Sequence, residues 1–574
     1  MKLFNTNTLK SIGLVLLIAL SLVFNQNSDF WQSVENTYLS IFFVLLFSVF
    51  FIILPNREIK LSRLDVLVVA LLLLSAISRI LRLGSLNEIK VLSSLGLVFY
   101  FLSVKTFNFK NNLSTIYNKG IVFVTFTLSV FSILEFYQLI LPTNFNWRMA
   151  GNFSNPGPLG GFIAIVVPFV FSEMFKSDFK KPTTVFYVLI AFVMVFVLVL
   201  SNSRAALLSV VISILIWAGC YGSKKWKYFK YMPFLLIPIM FMFIKGLDSI
   251  SGRFLIWKIT LKSFFEKPIF GIGYDFFKTD YLNFQANYFS LGGTEKEVLL
   301  AGVNHHAFNE FIKFFVENGL LGVGLVAIGS VWILRTSKSE FLIYKNKNSK
   351  HLHSLLFFGA FITFSMFSYP LQFLPFKLIL LNQLAFQNSF PVVYGIRMNK
   401  SLVATFIILS GLIFYLGFKQ YEGIYAWKRG SELQFKNPQS ASVFYEFAEK
   451  RLKYDGIFLF HYGLFEEKKD NIKALNLYRL ASKTYNDPFL YFKIAQLCET
   501  FEQYDITETY LKKQHFMQPH LFKPQEYLLD FYIRRQDVSK AKCFANKILQ
   551  TPIKVKNKEA FRIIQKANTL FVSL

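Results

Sequence analysis

An all-α fold is predicted here, a polytopic helical membrane bundle followed by an α-helical repeat domain, and three observations predict it. The 574 residues are 54% hydrophobic and 18% aromatic, and this apolar excess is concentrated before Gln420. There the apolar residues run in blocks of roughly 17–25, enough to cross a bilayer core as helices. After Gln420 the composition turns polar, and Tyr and Phe recur three and four apart, the spacing of amphipathic helices. The expected organisation is a transmembrane region over 1–246, an extracytoplasmic loop over 247–305, a second transmembrane region over 306–418 and helical repeats over 419–574.

Taken in order, the apolar blocks lie near 11–25, 37–54, 64–83, 88–104, 120–141, 158–175, 183–200, 204–221, 230–246, 319–335, 353–371, 374–394 and 401–418. They predict about 12–13 spans, those at 88–104 and 374–394 being the weakest. The first follows Lys2 and Lys10, but VFNQN after it offers no small-residue cleavage pattern, so it is expected to stay as an anchor.

Orientation follows from Lys and Arg, which cytoplasmic loops retain. Alternate connections carry them: Lys2/Lys10, Arg57/Lys60/Arg63, Lys105/Lys110/Lys119, Lys176/Lys180/Lys181, Lys224/Lys225/Lys227/Lys230, Arg335/Lys338/Lys345 and Arg397/Lys400. The intervening connections are poor, with only Arg148 in one and Arg204 in another. This pattern predicts a cytoplasmic amino terminus, with the 247–305 loop and the tail on the outer side. The net charge of +28 then reports topology and contact with anionic lipids, and speaks against a nucleic-acid partner. Cys220, Cys498 and Cys543 have no metal-ligand spacing, and the last two read as repeat-core residues rather than a disulfide.

In the tail, segments 456–488, 489–521 and 522–554 look alike, each closing near a proline, at Pro488, Pro519 and Pro552. That interval suits a helix-turn-helix repeat of about 34 residues, the tetratricopeptide type. Gly463, Ala474, Tyr478 and Ala481 fall at its small or packing positions. Such repeats stack and bind partners, so a protein partner through this domain is expected.

Between Ser251 and Gly322 a stretch that begins polar interrupts the spans, and long connections in compact folds are usually functional. Charge is scarce on the outer side, yet Arg79, Arg82, Arg148, Arg204 and Arg253 all map there or within a turn of it. Several guanidinium groups on one face favour an anion, which they bind bidentately while staying charged. A second cluster is the turn MAGNFSNPGPLGG, where Asn152, Asn155, Pro156, Gly157 and Pro158 make a rigid corner and Gly160 and Gly161 permit close helix approach. The third holds His305, His306, Asn309, Glu310 and Glu317 ahead of Asn318 and Gly319. If helical there, the chain places His306 and Glu310 on one face, and an imidazole beside a carboxylate can take a proton from an attacking hydroxyl. There is no HExxH and no Asp-x-Asp pair, so no metal site is expected.

In order and spacing, GNFSNPGPLGGFIAIVVP, SNSRAALL, SGRFLIWKITLKSFFEKPIFGIGYDFF and HAFNEFIKFFVENGLLG resemble the membrane domain shared by O-antigen ligases, O-antigen polymerases and bacterial protein O-oligosaccharyltransferases. The likeness covers roughly 120–332 and does not choose among these members. It implies a GT-C-like membrane enzyme of the bacterial inner membrane, without cofactor or metal, moving a glycan from a polyprenyl-diphosphate carrier to a hydroxyl of a glycan, a lipid A core or a protein. By motif match Arg204 and Arg253 would hold the diphosphate, with Arg148, Arg79 and Arg82 as further anion ligands. Asn152, Asn155, Pro156, Trp257, Gly271, Gly273, Asn309, Glu317 and Gly319 would shape the site. In many relatives the last motif reads HAHNEYL and its second His is the base; here that position is Phe308. His306 matches the first His, leaving His306, His305 or Glu310 to do the work.

Two other classes remain. A lipid-linked saccharide transporter would need acidic groups within spans, for which Glu135 is the one strong candidate. An envelope scaffold would display the repeats and tolerate loss of Arg204 and Arg253.

Overall fold

The computed structural model describes residues 6–25, 30–54, 58–107, 111–144, 146–176, 182–221, 247–344, 350–387 and 391–573. The chain forms two compact units, Met1–Gly246 with Phe308–Tyr421, and Leu247–Ala307 with Glu422–Leu574.

The first unit is a membrane bundle. Among the described residues, six helices are long and apolar enough to cross a bilayer: Phe30–Ile53, Arg63–Leu83, Thr115–Phe136, Pro182–Leu200, Glu310–Trp332 and Lys400–Leu433. Shorter apolar helices cover Thr8–Val23, Ile89–Val104, Pro156–Phe171, Arg204–Trp217, His353–Phe367 and Leu374–Ala385. The span expected at 230–246 lies outside the described residues. Helices such as Pro182–Leu200 leave Phe186, Leu189 and Phe192 exposed, the outward apolar surface that lipid tails cover.

At the centre runs Pro156–Lys176, whose residues from Phe162 to Val167 are wholly buried. Its packing depends on a missing side chain: a Cβ on Gly161 would fall within the ring of Phe364, which itself stacks on Phe376. Gly161→Ala is therefore expected to destabilise the unit by about 1–3 kcal/mol, the usual cost of overpacking, read as a lower melting temperature of the detergent-solubilised chain.

The 374–394 block departs from expectation. Its helix is Leu374–Ala385, 12 residues, or about 18 Å, short of a hydrocarbon core of roughly 30 Å. Pro375, Phe376, Leu378 and Ile379 are buried, so protein rather than lipid satisfies this apolar run. Hydropathy does not distinguish the two surroundings. Beyond it, Val392–Arg397 pairs antiparallel with Glu58–Ser62, Glu58 opposite Arg397, in a small ribbon that the all-helical expectation did not include. Ser62 ends that strand and caps Arg63–Leu83, its hydroxyl accepting from Asp65 N while Asp65 accepts from Ser62 N at 2.7 Å.

In the second unit the stretch expected as a loop is largely helical, with helices Leu247–Phe264, Phe277–Ser290 and Glu295–Leu300. The reason is amphipathy: Phe277, Tyr281, Leu282 and Phe284 are buried within the unit, so this polar-looking segment has its own core face. Lys400–Leu433 continues through the boundary expected at 418 as one helix.

Helix pairs then follow: Gly456–Glu466 with Asn471–Ala481, Pro488–Thr500 with Tyr504–Met517, and Phe522–Arg534 with Val538–Gln550. Aspartates start several of them. Asp455 accepts from Ile457 N and Phe458 N, and Asp470 from Ile472 N and Lys473 N. Gly463 lets the ring of Tyr478 lie directly on its helix, and Tyr445, Tyr462, Tyr478 and Tyr532 are buried core residues. Cys498 is buried and Cys543 exposed, both free, so Cys543 is not the core residue its surroundings predicted.

His515, 1% exposed, lies against Phe516 and Phe544, and burial pushes its imidazole down to about 3. His520 is lowered to about 4, again chiefly by burial. An unfolded imidazole takes up a proton near pH 6.5 that the folded ring refuses until far lower, so stability falls as the pH drops from about 6.5 towards 3. For His515 alone the loss at pH 5 is about 2 kcal/mol. Hydrogen exchange of Tyr504–Met517 in the full chain, corrected for intrinsic rates, is expected to accelerate below pH 6.5, and His515→Phe to remove about half of that dependence, His520 carrying the rest.

Candidate active site

In the membrane unit the site is built around the 143–161 corner, and a buried carboxylate holds that corner. Glu135, 0% exposed at the end of Thr115–Phe136, accepts from Thr143 N and Thr143 Oγ1 through one oxygen, both at 2.8 Å. Its other oxygen accepts from Gly151 N at 2.7 Å and Ala150 N at 3.3 Å. Thr143 also contacts Gly151 O through its hydroxyl. Gly151 has φ +55°, a left-handed conformation that glycine adopts without strain. Asn144 donates to Ser154 O at 2.9 Å, and Asn25 to Asn152 O at 2.8 Å.

This corner meets two other motifs. Ser203 donates to Gly157 O at 3.3 Å, and a Cβ on Gly160 would lie 2.6 Å from Ser201 Oγ. The SNSR turn thus packs on the start of Pro156–Lys176, and two helix amino termini, at Pro156 and Arg204, come side by side. Their dipoles favour an anion there, while Pro156 and Pro158 bring no N–H and that of Gly157 is taken by Asn155. Arg204 is half-buried as the first residue of its helix. Asn155 accepts from Gly157 N at 3.0 Å and donates to Tyr369 Oη at 2.9 Å. Tyr369 in turn takes the ring of Phe308 edge-on at 5.4 Å. Through Tyr369, which sequence reasoning missed, the NPGP and HAFNE motifs are joined.

Phe308 has φ +52°, a conformation costly for a bulky side chain, and helix starts only after it. Asn309 caps that helix, accepting from Phe311 N at 2.9 Å and Ile312 N at 3.0 Å. His305 and His306 therefore lie in the non-helical run before the cap, so His306 and Glu310 do not share a helical face as expected. Glu310 is buried and accepts from Leu371 N at 2.8 Å, which gives it a holding role. Glu317 lies 3.7 Å from Lys313, and Gly319, at φ +60°, kinks the helix.

The other arginines differ among themselves. Arg79 is bound bidentately by Glu88, Nε to Oε2 at 2.6 Å and Nη2 to Oε1 at 3.0 Å, and Glu88 also caps the next helix. Its fork is engaged by Glu88, a partner that a diphosphate would have to displace. Arg82 is half-buried in the last turn of its helix and Arg148 is exposed beside the corner.

Within the second unit, Arg253 is half-buried on Leu247–Phe264. One turn on, Trp257 donates to Ala307 O at 2.8 Å, anchoring the histidine-bearing run. Gly271 and Gly273, at φ +69° and +97°, turn the chain between helices. His305 keeps solvent contact, yet the crowding around it lowers its imidazole pKa; Lys278 acts the same way and Asp487 against it.

Residues 189–327 match the family model Wzy_C, O-antigen ligase. The matched region contains Arg204, Arg253, both histidines and the Asn309 cap, and begins beyond the NPGP corner. It supports a membrane glycosyltransferase of the ligase or polymerase type. No curated protein matches the chain. One solved structure, the crystal structure of APC/C hetero-tetramer Cut9-Hcn1, is 12% identical over 93% of this chain and 83% of that chain; its TM-score of 0.22 is too low to carry an argument.

Proposed function

We propose that this protein is an inner-membrane glycosyltransferase that moves a saccharide from a polyprenyl (undecaprenyl) diphosphate to an acceptor hydroxyl, as an O-antigen ligase or polymerase does. The observation that carries the reading is the meeting of the SNSR and NPGP motifs at two adjacent helix amino termini beside Arg204, within reach of the ligase-family match. The amino terminus is assigned to the cytoplasm, and the 247–305 segment and tail to the periplasm, from the distribution of Lys and Arg.

In the proposed step the acceptor oxygen bonds to the anomeric carbon as the bond from that carbon to the phosphate oxygen breaks. The electron pair leaves with the diphosphate, whose growing charge Arg204 and Arg253 stabilise, and the acceptor proton passes to an imidazole. His306, which matches the first His of the motif where Phe308 replaces the second, is the assigned base, with His305 as the alternative. A general base contributes typically about 10²- to 10⁴-fold, so His306→Ala is expected to cut turnover within that range. His305→Ala, assayed beside it, tells which ring matters. Protein O-oligosaccharyltransfer is the second reading within the same chemistry. The transporter reading loses its main support, because Glu135 is engaged by the corner it holds.

Comparing the envelope glycans and glycoproteins of a deletion strain with its parent tests the function. Loss of attached polysaccharide identifies a ligase, shortened chains a polymerase, and naked protein an oligosaccharyltransferase. An unchanged envelope overturns the proposal.

A further inference from the structure

We propose that the helical repeats are a positioning part of the transferase, with Gln285 and Asn486 tying the segment that carries His305 and His306 to the second repeat. The catalytic consequence rests on the glycosyl-transfer reading above; the tie does not.

The contacts are reciprocal and buried. Asn486, 4% exposed, donates to Thr279 O at 2.6 Å, and Thr279 Oγ1 donates back to Thr484 O at 3.0 Å. Gln285, 0% exposed, spends its amide on both sides of the seam, donating to Met517 O at 2.5 Å and to Gly302 O at 3.2 Å. It bolts the end of the repeat helix Tyr504–Met517 to the chain three residues ahead of His305. Tyr491 adds a bond to Asn283 at 3.3 Å. At the other end of the run Trp257 holds Ala307 O. Buried N–H groups without acceptors are costly, and the donors of both amides find theirs only where segment and repeats fold against each other, although Gln285 Oε1 and Asn486 Oδ1 are buried without a partner. A tail that merely recruited a partner would not need to fill its second repeat with the helix leading to the histidines.

Asp487 adds charge to the geometry. It starts Pro488–Thr500 by accepting from Phe489 N at 2.7 Å, and its carboxylate also acts on His305, opposing the crowding and Lys278. The repeats thus hold the backbone of the histidine run and supply a negative charge that favours a proton on the ring.

The test uses the full-length chain in detergent. Gln285→Glu and Asn486→Asp keep shape but cannot donate the lost N–H bonds. Hydrogen exchange over residues 301–307 is expected to quicken about tenfold, as for loss of one buried hydrogen bond, with Gly456–Glu466 unchanged. In transfer assays kcat should fall while KM for the lipid-linked donor stays near its normal value. Asp487→Asn keeps the helix cap but removes the charge. The pH midpoint for diethylpyrocarbonate modification of His305 should then move to lower pH. Unaltered exchange in both amide variants, or an unmoved midpoint in Asp487→Asn, overturns the proposal. Quickened exchange in a chain that transfers nothing supports the tie and sinks the transferase reading.

Discussion

Arg204→Ala and Arg253→Ala are each expected to abolish glycan transfer while leaving expression and membrane insertion normal. A guanidinium acting on charge that develops in the transition state is worth on the order of 10²- to 10³-fold, as for other preorganised donors. The leaving diphosphate concentrates that charge at one end of the reaction. Arg204 opens its helix beside a second helix start, so its loss removes the side chain of the proposed anion site and leaves only the helix dipoles. Arg204→Lys should retain only part of the activity, because an ammonium keeps the charge but not the planar fork. Arg79→Ala is the contrast: it breaks a largely buried pair with Glu88 and should lower the melting temperature, by about 3–5 kcal/mol of stability. Transfer from a purified polyprenyl-diphosphate donor, measured on variants of matched yield, decides the matter. Full turnover in both Arg204→Ala and Arg253→Ala would remove the proposed diphosphate clamp.

Glu135→Ala is expected to have the largest effect on stability. It strands the N–H groups of Thr143, Ala150 and Gly151, all buried. At about 1–3 kcal/mol for each of the three unsatisfied groups, the combined loss is on the order of 3–9 kcal/mol, enough to unfold the corner. Glu135→Gln should not rescue it, since half of its amide would present N–H groups to N–H groups. Protease nicking between residues 141 and 155 of the solubilised chain reads the outcome. A resistant, normally melting Glu135→Ala chain would mean that the corner is held by its other contacts alone.

The way Glu135 works also shows where reading the sequence reached its limit. An acidic residue inside an apolar span looks like an ion carrier, and only the fold brings to it backbone donors from residues 8–16 positions later. Gln285 and Asn486 are ordinary amides in amphipathic helices until the chain joins stretches some two hundred residues apart. His306 and Glu310 had the spacing of one helical face, but Phe308 in a left-handed conformation and the Asn309 cap start the helix too late for that. Conversely, the repeat interval and the glycines of the NPGP corner were legible, because each acts on neighbours within a few residues.

By itself the sequence determined the apolar blocks, the helical tail and the family of motifs, since hydropathy, periodicity and local turn chemistry act along the chain. Tertiary structure alone decided that the 247–307 segment folds with the tail, that Leu374–Ala385 is sheathed by protein, and that Arg79 is engaged by Glu88. Those outcomes depend on which distant groups share a desolvated space. Pairing there is set by the energy of leaving a buried polar group alone, a quantity that no local pattern encodes.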